Sequence, residues 1–97
     1  TPFHMDLFHF SGEKRFPVQL LLGPLATSLL LEEHPEAEEE LTLADDGRHL
    51  LDTKVCSFKG VGRFVMGLFD DIEVVGSPEF KTWLKERVRF LTEKIRD

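Results

Sequence analysis

The sequence predicts one α+β domain, an antiparallel sheet with helices on one face, and three observations carry that prediction. Phe16, Val18, Leu20 and Leu22 alternate at period two, as do Leu51, Thr53 and Val55, which is the strand signature. Apolar residues recur at helical spacing in three other stretches. An Asp-Gly pair at Asp46-Gly47 separates two strand-like arms, a strong hairpin signal.

The elements follow in order. "FHMDLFHF" (Phe3–Phe10) spaces its aromatic residues irregularly and "SGEKR" interrupts it, so this part reads as a connector with room for a short strand. Its Phe residues need a surface to pack on, in this domain or in a preceding one. "RFPVQLLLG" is a strand, with Pro17 near its start where a missing N–H is tolerated. Gly23-Pro24 punctuates it, and Leu25, Ala26, Leu29 and Leu30 then make a helical stripe that Pro35 ends. "EAEEELTLADDG" turns apolar at Leu41 and Leu43 and reads as a strand closed by the Asp-Gly turn. "RHLLDTKVCSF" is the returning arm, with Cys56 placed within the strand. Val61, Phe64, Val65 and Leu68 form the next helical stripe, although Gly62 and Gly67 each weaken a helix by about 1 kcal/mol relative to Ala. "IEVV" is a short strand. Ser77 suits an N-cap, Pro78 the first helical position and Glu79 the first turn of a closing helix. Its apolar face is Phe80, Trp83, Leu84, Val88, Leu91 and Ile95, with Lys81, Lys85, Arg89 and Lys94 mostly on the wet side.

Strand, helix, strand, strand, helix, strand is the ferredoxin-like βαββαβ plan, to which the last helix is an extra C-terminal addition. The 97 residues suffice for one small domain. A domain of this size is marginally self-sufficient, so packing on a partner is expected.

Charge and cysteine usage narrow the functional classes. Residues 1–58 carry four Lys and Arg against eleven Asp and Glu, a balance of −7, whereas residues 79–97 carry six against four, a balance of +2. An acidic body is poorly matched to a phosphate backbone, which needs clustered cations. One cysteine rules out an internal disulfide and fits a reducing, cytoplasmic setting. No apolar run approaches the roughly 18 residues that span a bilayer, and no signal-peptide pattern is present, so no membrane association is expected.

Candidate chemistry is sparse. Adjacent side chains such as Asp70 and Asp71 point apart, whereas cooperating carboxylates must converge, so the pair reads as a turn. His4, His9, His34 and His49 lack metal-ligand spacing. Cys56 has no base at a readable spacing and reads as structural. "EEHPEAEEE" has no calcium-loop spacing and reads as a solvated helix end. "GVGRFVMG" puts Val65 where a dinucleotide loop requires Gly. "KGVGRFV" (Lys59–Val65) resembles the opening of the RNA-recognition RNP1 pattern, but Val61 replaces its stacking aromatic and the segment opens a helix. The open sheet face, with Gln19, Asp52, Lys54 and Glu73, lacks aromatics for base stacking.

"FVMGLFDDIEVVGSPEFKTWLKERVRFL" is similar to the C-terminal signature of WYL-domain transcriptional regulators. Its parts are a helix through Arg63–Phe69, the turn Asp70-Asp71, the strand Ile72–Val75, Pro78, and a closing helix Phe80–Ile95. Upstream, "DLFHFSGEKRFPVQLLLGPLATSLLLEEHPEAEEE" resembles the exit from a WYL domain into its C-terminal extension, the WCX domain. Pro78 is followed here by Glu79-Phe80-Lys81, where the family often has Leu-Arg. Neither the Trp-Tyr-Leu signature nor a helix-turn-helix lies in this chain.

The resemblance implies the C-terminal domain of a bacterial regulator. Residues 1–15 would be the exit from a preceding domain and 16–97 a WCX-like ferredoxin-fold domain. DNA would be bound by an N-terminal domain and not by this one. The implied role is non-enzymatic, a regulatory and interaction domain for dimer or interdomain contact and effector response, with no catalytic residues, metal or cofactor. Self-association or packing on the WYL domain would use the open sheet face or the last helix. An alternative is a module binding a single-stranded nucleic-acid effector, with Lys59, Arg63, Lys81, Lys85 and Arg89 as its contacts. A small-molecule sensing domain is a further alternative and would require a closed pocket with convergent polar groups.

Overall fold

The alternating apolar residues of Phe16–Leu22 build one of the two inner strands of a four-stranded antiparallel sheet. The computed structural model describes residues 4–8, 10–12 and 14–95. In chain order the elements are β1 (His4–Met5), β2 (Ser11–Gly12), β3 (Phe16–Leu22), α1 (Pro24–Glu33), a 3-10 segment (Pro35–Glu40), β4 (Leu41–Leu43), β5 (His49–Val55), α2 (Phe58–Gly67), a 3-10 turn (Phe69–Asp71), β6 (Ile72–Gly76) and α3 (Pro78–Lys94). The sheet order is β4-β5-β3-β6, with every pair antiparallel.

Register puts Val18 opposite Thr53, Leu20 opposite Leu51 and Val74, and Leu22 opposite Ile72. Directly paired residues share a face, so these side chains form one apolar surface. Val18, Leu20, Leu22, Leu51 and Val55 are fully buried there, under Ala26 and Leu30 of α1, Val61 and Val65 of α2, and Phe80 of α3. Gln19, Asp52, Lys54 and Glu73 occupy the other face, as alternation requires. Among the described residues, no helix is long and apolar enough to cross a membrane.

β1 and β2 pair as a small antiparallel ladder, His4 opposite Gly12 and Met5 opposite Ser11. Asp6 organises it. Its Oδ1 accepts the backbone N–H groups of Phe8 (2.8 Å) and Phe10 (3.0 Å), and its Oδ2 accepts that of Cys56 (2.9 Å) beyond the end of β5. Leu7 is buried, and the Phe8 ring lies 5.8 Å from Phe64 and 5.4 Å edge-on to His34. Leu7 and Phe8 therefore pack on this domain's core.

Several local expectations need correction. Cys56 lies past the end of β5, not within it. Glu36–Glu40 precede β4 as a 3-10 segment, because Pro35 starts a new turn at once. Leu25 is exposed: α1 turns only Ala26, Thr27 and Leu30 fully inward. Ser77 does not cap α3 with its side chain. It holds a left-handed conformation (φ 80°), and its hydroxyl donates instead to the Pro17 carbonyl of β3. Gly62 is more than a weak helix residue. It is buried in α2 directly beneath Trp83, where a Cβ would collide with the indole ring.

Candidate interaction surface

α3 is long enough, by its seventeen residues, to run beyond the surface that it packs on. Its first two turns are anchored. Phe80 is fully buried, 5.3 Å from the Phe58 ring and 6.1 Å from Trp83, and Trp83 lies 6.0 Å from Phe58. The predicted apolar face continues as Val88 and Leu91, 48% and 50% exposed, but the helix ends at Lys94, and Ile95, 69% exposed, is extended and not on the helical face. The spacing predicted the stripe, while its burial depends on how far the sheet and α2 extend under it.

Cations flank the stripe on both sides. Lys59 and Arg63 of α2 meet Arg87 of α3 around Trp83 and Met66, in a cleft of about 370 Å³. The Arg87 guanidinium carbon lies 5.6 Å from the Trp83 ring centroid and 5.5 Å from that of Phe90, and Lys94 Nζ lies 5.1 Å from Phe90. Exposed contacts of this kind contribute about 0.5–1 kcal/mol each. On the other flank, Lys81 and Lys85 rim a groove of about 490 Å³ between β6 and α3, with Val74, Leu84 and Val88 as its apolar lining. Lys81 Nζ lies 3.5 Å from the Val75 carbonyl oxygen.

The five cations singled out in the sequence are thus divided. Lys59 and Arg63 share the α2–α3 cleft, Lys81 and Lys85 share the β6–α3 groove, and Arg89 lines neither. Arg87 was missed. Its signal was its place four residues after Trp83 and three before Phe90, which stacks it between two rings on one helix face.

The remaining candidates take structural places. Asp71 Oδ2 accepts the Ala26 N–H at 2.7 Å, and the Asp71 carbonyl accepts the Gly23 N–H at 2.8 Å. Gly23, the residue before α1, has no side chain to cap the helix, so Asp71 supplies a carboxylate to its positive end. A Cβ at Gly23 would collide with that carboxylate. Asp70 is exposed, so the two do not converge. The Cys56 sulfur is 3.9 Å from the Gly12 carbonyl. His34 stands between α1 and the 3-10 segment, and His49 begins β5. His9 and the His4 side chain lie outside the described residues. Among the described residues no three His, Cys, Asp or Glu side chains are placed to hold a metal ion.

The ionic contacts with a clear electrostatic signature lie at the hairpin turn. Arg48 binds Asp46 through two nitrogens, each at 2.7 Å, and reaches Glu73 of β6 at 3.6 Å. Hydrogen bonding to Arg48 holds the Asp46 carboxyl below its ordinary value, and the same bond to Asp46 strengthens the hold of Arg48 on its proton.

No protein-family model, curated protein or solved structure matches this chain.

Proposed function

We propose that this chain is a non-enzymatic regulatory and interaction domain, the WCX-type C-terminal extension of a bacterial, cytoplasmic WYL-domain transcriptional regulator. In this reading its sheet follows the ferredoxin-like plan, and the order β4-β5-β3-β6 with antiparallel pairs supports that. Residues 1–15 lead in from a WYL domain, DNA is bound by a separate N-terminal domain, and this module contributes dimer or interdomain contact and effector response.

The observation that carries the reading is the second half of α3. Val88 and Leu91 make an apolar stripe at helical spacing, with exposed Ile95 just past the helix end, and nothing covers them among the described residues. Contiguous exposed apolar surface with a polar rim marks a contact site. The test is to replace Val88 and Leu91 together with Glu and follow association by sedimentation velocity. Weakened association with an unchanged melting temperature supports the reading, and unchanged association overturns it. A Trp-Tyr-Leu-bearing domain encoded upstream of Thr1 tests the family, and its absence there would remove that part.

One observation favours a second reading, a single-stranded nucleic-acid effector module. Lys59, Arg63 and Arg87 line one cleft with Trp83, which joins cations to an aromatic ring of the kind that stacks bases. Binding of a short single-stranded DNA, weakening with added salt and lost in Arg63→Ala/Arg87→Ala, would support it; no binding at low salt removes it.

A further inference from the structure

The sheet ends in two unlike edges. Among the described residues β4 pairs only with β5 and β6 only with β3, so each presents one row of main-chain groups outward. The β6 edge is roofed by α3. Val74 of β6 and Leu84 and Val88 of α3 line the groove there, and Lys81 and Lys85 stand at its rim. The β4 edge carries the opposite character. Leu41 and Leu43 pair with Leu51 and His49 and so share the core face of the sheet, yet Leu43 is 71% exposed. Glu38, Glu39 and Asp45 around it are exposed, whereas Glu40 binds Thr53 and Asp46 binds Arg48.

Direction and face also match. β4 runs parallel to β3, since each is antiparallel to β5, and β6 runs antiparallel to β3. A second copy shifted along the sheet without rotation would therefore bring its β4 antiparallel to β6. Its Leu41 and Leu43 would then lie on the same face as Val74, under the α3 roof. Charge chooses among the possible pairings. Two β6 edges together would oppose Lys81 and Lys85 to their own copies, and two β4 edges would oppose acid to acid. Only β4 against β6 sets opposite charges facing one another.

We propose that the β6 edge and its α3 roof receive the β4 edge of a second copy of this chain, with Leu43 entering the groove and its acidic neighbours meeting Lys81 and Lys85. This rests on the reading of the chain as an interaction module and names the partner surface. The contact is heterologous, so it propagates into a ring or an open chain and does not stop at a symmetric dimer.

Sedimentation velocity on the full chain over a concentration series tests it. The wild type should form species larger than a dimer, weakened by added salt. Leu43→Lys removes the β4 anchor, and Lys81→Glu/Lys85→Glu reverses the groove rim. Each variant should associate at least about tenfold more weakly, the scale of losing one buried leucine contact. All three positions are on the surface rim, and far-UV circular dichroism should show each variant folded. The deciding experiment mixes the two variants. One has an intact groove and the other an intact β4 edge, so the mixture should form a one-to-one dimer and nothing larger. A wild type that stays monomeric, a variant that associates like the wild type, or a mixture that stays monomeric overturns the proposal. If Val88→Glu/Leu91→Glu weakens association while the mixture fails, α3 is a contact surface for something other than β4, and only this proposal falls. If neither variant set changes association, both fall.

Discussion

The carboxylate of Asp71 accepts the N–H of Ala26 at 2.7 Å, across 45 residues of sequence, and so caps a helix to which it does not belong. The turn before β6 and the start of α1 are thereby one unit. Asp71→Ala should cost about 1–2 kcal/mol of unfolding free energy, the upper range for loss of an N-cap acceptor. Asp71→Asn, which keeps an oxygen, should cost less. Urea denaturation measures both, and equal losses for Ala and Asn would sink the capping account.

Asp6 ties the N-terminal hairpin to the end of β5 through three backbone N–H groups. Asp6→Ala leaves those donors without their acceptor and should cost about 1–3 kcal/mol. Hydrogen exchange reads the mechanism directly. The amides of Phe8, Phe10 and Cys56 should exchange faster together, and protection retained at Cys56 would refute the link.

Trp83 packs on Gly62, and it is the one tryptophan of the chain. Gly62→Ala should destabilise the α2–α3 contact by about 1–3 kcal/mol through overpacking, although Ala is the better helix former. Emission from Trp83 should shift to longer wavelength as the ring is pushed outward. A stabilised protein with unchanged emission would show that the contact yields freely.

Arg48 lowers the Asp46 carboxyl below its ordinary value of 3.8. A carboxyl that is lowered in the folded state contributes stability present above its unfolded value and lost as pH falls through the folded one. The contribution is therefore full at neutral pH and disappears only below about pH 3.8. An NMR titration should place the Asp46 midpoint under 3.8 and move it upward in Arg48→Ala. No movement would mean that another group sets it.

The sheet was legible because period-two alternation is a local property. Phe16–Leu22 and Leu51–Val55 declared their inward faces without reference to any neighbour. The Asp46-Gly47 hairpin was legible for the same reason. Asp70-Asp71 could be read as a turn, but its cap on α1 could not, because the partner is remote in sequence. Ser77 misled for the opposite reason: a good local cap residue was taken by the distant Pro17 carbonyl. The surface was legible only in part. Periodicity found the stripe of α3 as far as Leu91 and overran the helix end at Ile95, and which half would be covered depends on the extent of other elements. Counting cations on the helix found Lys81 and Lys85, yet only three-dimensional packing joins Arg87 to Lys59 and Arg63.

The Ser77–Pro17 hydrogen bond has a mechanical consequence. It roots α3 in β3, one of the two strands with neighbours on both sides, and not solely in the edge strand that precedes it. A load applied to the overhanging end of α3 is therefore delivered to the middle of the sheet. The helix acts as a lever seated on an interior strand, and a pull that would peel β6 away also loads that seat.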